Sequence, residues 1–234
     1  MKYKLRRFFR EERAKIKKMS FKQAVGYIWQ YFGLFIVLEI ALIWLTVWGI
    51  SRLIAGPPEY WIYAAFANTP NNASNGSRIW RDFVAYSGYD TKEKRVEFSN
   101  NMFFDYTKNK ARGNEYYNSF VALVDSGTLD LVTMPPDQLV PLGQSGRLLD
   151  LNLEQCAELR EKYADRLLYY EPSEEDEQTE PIPVAIDISD SRIISEYNIY
   201  GGSCALAVSA NSQRLDAAAL FLDFIFSGSN GGEK

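Results

Sequence analysis

The chain has 234 residues, of which 47% are hydrophobic and 15% aromatic, and its 26 basic and 30 acidic residues give a net charge of −4. It contains two cysteines and no histidine, which excludes histidine-dependent catalytic triads, imidazole zinc sites and a disulfide-stapled miniprotein. The composition excludes a collagen-like or wholly disordered chain, and the length allows one domain with an appendage.

The first predicted segment is a basic arm. Residues 1–22 hold ten Lys or Arg and two Glu, a net charge of +8, so the rest of this −4 chain carries −12. A basic arm can bind nucleic acid or an anionic membrane surface. The apolar segment that follows favours the membrane, so we predict the lipid bilayer as a partner and no nucleic acid. The arm is either a basic helix lying on the membrane or a flexible charged tail.

The second segment is a predicted transmembrane helix. Residues 31–50 form a stretch of 20 residues with one charge, Glu39. A helix of this length spans about 30 Å, the thickness of a bilayer core. Aromatic residues near both of its ends match the two interfacial belts of a membrane span. The positive-inside rule then assigns residues 1–30 to the cytoplasm and the C-terminal part to the outside of the cell membrane.

Two alternatives to an uncleaved single-pass anchor explain the sequence less well. A cleaved signal peptide has a shorter apolar stretch of about 7–15 residues and a small-x-small cleavage site, whereas Leu53 stands two residues before Ala55. A buried core helix does not explain 20 almost uninterrupted apolar residues beside such a basic arm.

Glu39 is the one charge within the predicted span. An ionised carboxylate there costs at least a few kcal/mol, and intramembrane acids are rare without a partner. Two interpretations stay open: a contact with a partner membrane protein or a second copy of the chain, or a neutral acid that faces lipid.

Residues 57–234 show short apolar runs alternating with helical patterns. Strands are predicted at 60–66, 129–134, 182–188 and 204–208, with another beginning at 95, and helices at 78–86, 114–124, 153–170 and about 215–226. Polar connections at 68–77 and 108–113, an acidic loop at 171–180 and a frayed tail at 228–234 complete the pattern. This alternation predicts an extracellular α/β domain with a mostly parallel sheet.

Three segments, in this order, resemble the extracellular solute-binding proteins that serve ABC importers, which have the periplasmic-binding-protein-like fold. They are DSGTLDLVTMPPDQLVPLGQSGRLLDL (125–151), IPVAIDISDSRII (182–194) and CALAVSANSQRLDAAALFLDFIF (204–226). In addition, FKQAVGYIWQYFGLFIV (21–37) resembles the start of small membrane-anchored proteins from Gram-positive bacteria.

The resemblance implies a fold and a set of partners. The family has two lobes, but about 25 residues between the Tyr163 region and Ile188, and 15 between Ile188 and Ser203, are too few for a second lobe of ordinary size. We therefore expect one reduced lobe. An ABC permease or another membrane protein, and a small solute such as a sugar or peptide, are the implied partners.

A ligand site in such a domain lies at the carboxyl ends of the parallel strands. The residues that follow those strands are our candidates for ligand binding, although each is also explained as a cap or a solvated loop residue: Asn68, Met134, Asp137, Asp187 and Asp190.

The remaining expectations concern cysteines and chemistry. Cys156 and Cys204 either form a disulfide that closes a loop of about 48 residues or are two buried free thiols. No pair of carboxylates can be placed across a substrate, so we predict no enzyme, and we predict no metal or cofactor. The leading hypothesis is an accessory or ligand-binding component of a transport or sensing system. The alternative is a ligand-free interaction protein that associates with a membrane protein.

Overall fold

The computed structural model describes residues 10, 12–55, 59–106, 113–172 and 180–228. Predictions for residues 1–9, for most of the polar connection at 108–113, for most of the acidic loop at 171–180 and for the tail from 229 onward lie outside these residues. The chain divides into two compact units, residues 1–57 and 58–234.

The N-terminal unit is helical. A short arm helix at 12–16 is followed by α1 (Phe21–Ala55), a helix of 35 residues. Ser20 precedes α1, and both its backbone N–H and its hydroxyl donate to Gln23 Oε1 at 3.1 and 3.0 Å, so that Gln23 reaches back to the residue before the helix as in a capping box. Within the described residues, one helix, at 21–51, is long and apolar enough to cross a membrane, and none of its apolar window is buried. A helix of this kind near the N-terminus is compatible with an anchor or a signal sequence.

The C-terminal unit is built on a six-stranded sheet. Its strands in chain order are β1 (Tyr60–Phe66), β2 (Arg95–Ser99), β3 (Leu131–Met134), β4 (Leu167–Tyr170), β5 (Ile182–Asp187) and β6 (Ala205–Val208). Their order across the sheet is β2-β1-β3-β6-β5-β4. The mixed α/β content predicted from the sequence is confirmed.

Strand direction differs from the prediction of a mostly parallel sheet. β1 runs parallel to β2 and β3, whereas the pairs β3–β6, β6–β5 and β5–β4 are antiparallel. The connection from β5 to β6 holds one short helix, α6 (Arg192–Ser195), and it closes where Ile188 N–H donates to Cys204 O at 2.9 Å. β6 therefore begins at the edge where β5 ends and runs back beside it, so the prediction is right only for the β2-β1-β3 half.

The helices cover both faces of the sheet. The other helices of this unit are α2 (Arg78–Ser87), α3 (Glu115–Asp125), α4 (Pro136–Leu139), α5 (Ala157–Lys162) and α7 (Leu215–Phe226), with 3-10 turns at Val140–Ser145, Glu154–Cys156 and Ala164–Arg166. Alternate residues of β1 enter two different core clusters, as the period of two in a strand requires. Phe66 packs with Phe83 of α2 and Phe221 of α7, while Ala65 packs with Phe120 of α3.

The predicted helix at 153–170 is wrong in its second half. The helical part ends with α5 and a 3-10 turn, and residues 167–170 (LLYY) form β4 instead. β4 is the edge strand of the sheet and pairs on one side with β5, with a register shift between Leu168 and Tyr169. The apolar residues at helical spacing include Leu167. In the structure this residue packs against the core from the edge strand, so tertiary packing decides its conformation.

Candidate functional site

The carboxyl ends of four strands meet at one edge of the sheet, which we call the carboxyl edge. β1, β2 and β3 run in the same direction, and β5 joins them because it is antiparallel to β6, which is antiparallel to β3. Of the five ligand candidates named from the sequence, Met134 and Asp187 are the last residues of β3 and β5, and the other three follow β1, β3 or β5. Met134 and Asp187 are both register partners of Ala205 on the strand between them, so they share this edge.

Asn68 joins the end of β1 to two neighbouring segments. It has a left-handed backbone conformation with φ of 58°, which asparagine tolerates better than most residues. Its Nδ2 donates to Phe104 O at 2.7 Å and to Gln138 Oε1 at 2.6 Å, and its Oδ1 accepts from Phe104 N–H at 2.9 Å. Both ends of the amide are therefore engaged, and Gln138 joins the edge although the sequence pattern did not single it out.

Met134 and Asp137 have different environments. Met134 is 1% exposed and belongs to the core cluster on the α3 face, so it contributes packing at this edge. Asp137 is exposed in the first turn of α4, where a carboxylate is favoured by the helix dipole. Of the two, only Asp137 presents its side chain to solvent.

Asp187 and Asp190 each have a partner within the domain. Asp187 Oδ1 accepts from both the N–H and the hydroxyl of Ser189, at 2.9 and 2.5 Å. Asp190 receives two hydrogen bonds from Arg166, at 2.5 and 2.8 Å. This bidentate contact with the guanidinium lowers the pKa of the Asp190 carboxyl, so the residue is held as a charged partner of Arg166.

Tyr200 lies over the ends of β1 and β3 at the carboxyl edge. The sequence pattern did not identify it as a residue of this edge. Its hydroxyl lies 2.9 Å from Ala67 O and 2.8 Å from Thr133 O, where it can donate, and 3.0 Å from Thr133 Oγ1. The residue is 5% exposed, and burial raises its pKa well above the usual range, so the hydroxyl stays protonated. Its neighbour Ile199 O accepts from Thr69 Oγ1, which ties the same loop to the end of β1.

A buried carboxylate lies at the opposite end of β3. Asp130 is 0% exposed and accepts from Tyr63 N–H at 2.8 Å, Ser212 Oγ at 2.6 Å and Arg214 Nε at 2.9 Å. Arg214 Nη2 also donates to Gly127 O at 3.1 Å and to the next carbonyl along the chain. Hydrogen bonds thus join segments 125–131 and 209–214 at this end of β3. Both segments belong to the motifs that carry the resemblance.

The two cysteines are buried free thiols, which corresponds to the second of the two alternatives. Both belong to the core cluster on the α2 face. Burial raises the pKa of Cys156, and it raises that of Cys204 well above the usual range with a further contribution from Asp187. Among the residues that the structure describes, no group of three or more His, Cys, Asp or Glu could hold a metal ion.

The N-terminal unit holds the remaining candidate, Glu39. It lies within α1 on an exposed surface. Thr46, the next polar residue of the span, donates its hydroxyl to Leu42 O of its own helix at 2.8 Å. Glu39 has no such bond to any residue that the structure describes, which leaves both interpretations open: a partner outside the chain or a neutral acid that faces lipid.

No family model, curated protein or solved structure matches this chain.

Proposed function

We propose that this chain is a single-pass membrane protein that presents its α/β domain outside the cell as an accessory or ligand-binding component of a transport or sensing system. The observation that carries the proposal is α1, whose apolar surface is exposed along its length next to a basic arm. Leaving that surface in water would be costly at about 25 cal/mol per Å², and a bilayer removes the cost. The basic arm supports a cytoplasmic N-terminus by the positive-inside rule.

The transport or sensing part of the proposal is supported by the resemblance to solute-binding proteins and by the arrangement of the carboxyl edge. Asp137 is exposed there, and Asp187 is partly exposed two strands away from Met134. Loops at the carboxyl ends of parallel strands are where ligands bind in open α/β sheets. A sugar or a peptide remains the proposed ligand class.

The anchor and its orientation are tested on the full chain with a C-terminal epitope tag. The protein should stay in the membrane pellet after alkaline carbonate extraction, and protease added to intact cells should remove the tag. Mass spectrometry of the purified protein should retain residues 1–50. A mature protein that begins after Ala55, or a tag protected from external protease, would contradict the proposal.

A second candidate, the ligand-free interaction protein, is favoured by a specific observation. Asn68, Asp187 and Asp190 are already engaged by partners within the domain, and Met134 is buried. Four of the five ligand candidates thus have structural roles. In this case the domain surface and Glu39 would contact a partner membrane protein.

Thermal unfolding separates the two candidates. A ligand at 100 times its dissociation constant should stabilise the protein by about 2.7 kcal/mol, so sugars, amino acids and peptides are screened against the full chain in detergent. Stabilisation by one class supports ligand binding. No stabilisation by any class favours the interaction protein.

The partner contact is tested by co-purification from membranes. Glu39→Leu removes the carboxylate, and Thr46→Leu is the matched control because the Thr46 hydroxyl is satisfied by its own helix. Loss of a partner with Glu39→Leu alone supports an intramembrane contact. If both variants recover the same proteins as the wild type, the contact through Glu39 is wrong.

A further inference from the structure

The arm helix folds back alongside the start of α1. The Tyr27 hydroxyl donates to Glu12 Oε2 at 2.7 Å across 15 residues of sequence, and Lys15 Nζ lies 2.8 Å from the other Glu12 oxygen. The capping bonds between Ser20 and Gln23 define the turn between the two helices. The arm and α1 therefore form a helical hairpin.

A groove of about 620 Å³ lies between the two helices of this hairpin. Its lining combines an apolar floor with charged residues from the arm: Ile16, Ile28 and Phe32 with Glu12, Arg13 and Lys17. Lys17 comes directly after the arm helix, and its N–H donates to Arg13 O at 3.1 Å, so the two residues are one turn apart on the same side. The groove joins an apolar surface to a pair of cations.

Among the residues that the structure describes, the lining of the groove holds two cations and one carboxylate. Glu12 is occupied by Lys15 and Tyr27, which together lower the pKa of its carboxyl. Arg13 and Lys17 form no ion pair with any residue that the structure describes, and both are exposed. The cations at the groove thus lack an anion that the described part of the chain supplies.

We propose that this groove binds one anionic phospholipid of the cytoplasmic leaflet. The phosphate of the headgroup contacts Arg13 and Lys17, and an acyl chain lies against Ile16, Ile28 and Phe32. The inference rests on the proposed function, because a membrane anchor with a cytoplasmic N-terminus places the hairpin at that leaflet. It adds a defined lipid site to the general attraction between basic residues and anionic lipid.

The test uses native mass spectrometry of the full chain in detergent, with phosphatidylglycerol and phosphatidylcholine of identical acyl chains as probes. One phosphatidylglycerol should remain bound in preference to phosphatidylcholine. Arg13→Gln with Lys17→Gln should weaken that binding about 30-fold, the effect of two basic residues at about 1 kcal/mol each. The matched control is Lys18→Gln with Lys22→Gln, which removes the same charge from exposed positions outside the groove and should change binding less than threefold.

A third variant tests the apolar half of the site. Ile16→Trp places a larger ring in part of the groove and leaves every charge in place, so it should also weaken retention of phosphatidylglycerol. Equal weakening by the two charge pairs, no preference for phosphatidylglycerol, or unchanged retention by Ile16→Trp would each overturn the lipid site. Alkaline extraction in parallel distinguishes the two proposals: a protein released from membranes overturns the anchor and the lipid site together, whereas one that stays in the membrane without retaining lipid overturns the site alone.

Discussion

Removing the Arg214 side chain leaves the buried carboxylate of Asp130 without its cation. Asp130 is 0% exposed and the Arg214 side chain 28% exposed, and Arg214 Nε lies 2.9 Å from both carboxylate oxygens. Loss of one partner of a buried ion pair costs about 3–5 kcal/mol. Tyr63 N–H and Ser212 Oγ still donate to Asp130, which favours the lower end of that range. We therefore expect Arg214→Ala to reduce the free energy of unfolding by about 3 kcal/mol.

The measurement is urea unfolding of the full chain in a mild non-ionic detergent, followed by tryptophan fluorescence. Arg214→Lys keeps the charge but loses the planar fork of the guanidinium, so it should recover part of the lost stability. Arg78→Ala is the exposed control: its guanidinium pairs with Glu196 at 2.5 Å while its side chain is 61% exposed, and it should cost no more than about 1 kcal/mol. If Arg214→Ala costs no more than Arg78→Ala, the Asp130 carboxylate does not depend on its cation and the reasoning fails.

Three further predictions concern the carboxyl edge and the core. Tyr200→Phe removes a buried hydroxyl whose one hydrogen is donated to Ala67 O or Thr133 O, so the free energy of unfolding in urea should fall by about 1–3 kcal/mol. Arg166 lowers the pKa of Asp190, so this pair stabilises the fold at neutral pH. The stabilisation is lost as the pH falls below about 4. The difference in Tm between wild type and Arg166→Gln should therefore shrink from pH 7 to pH 3. Burial raises the pKa values of Cys156 and Cys204, so mass spectrometry should find neither thiol alkylated by iodoacetamide in the native protein at pH 8 and both alkylated in urea.

Each of these has a distinct contrary result. An unchanged urea midpoint for Tyr200→Phe would mean that the hydroxyl makes no net contribution to stability. A difference in Tm that stays constant down to pH 3 would show that Asp190 does not titrate against Arg166. Rapid alkylation of either cysteine without urea would show that its part of the core opens readily.

The sequence was sufficient for elements whose pattern is local. β1 and β5 are continuous apolar runs, and the Leu-Val-Thr-Met of β3 is bounded by a left-handed Gly127 and by two prolines, so strand signals and turn signals agree. The apolar helix α1 is equally local, because 20 apolar residues next to a basic arm need no tertiary information to be recognised. The position of Asn68, Met134 and Asp137 at one edge also followed, because β1 and β3 are parallel as predicted.

Elements that depend on distant pairing were not predictable. Residues 167–170 became a strand because β5 offers a partner, although a helical stripe continued through Leu167. The direction of β6 depends on where the connection after Ile188 returns to the sheet. The Tyr200 hydroxyl donates to a carbonyl 133 residues earlier in the chain. No local pattern around Tyr200 identifies a partner so far away in the sequence.

The contacts at the carboxyl edge also constrain how a solute would bind there. Asn68 uses both ends of its amide within the domain, and Tyr200 covers the carbonyls at the ends of β1 and β3. A ligand that displaced either residue would leave buried polar groups unpaired, at a cost of about 1–3 kcal/mol for each. Binding that avoids this cost uses groups already facing solvent, of which Asp137 is one. A ligand at this edge is therefore expected to be recognised through its hydrogen-bond donors or its positive charge, which gives amino sugars, amino acids and basic peptides priority over neutral sugars in the thermal screen.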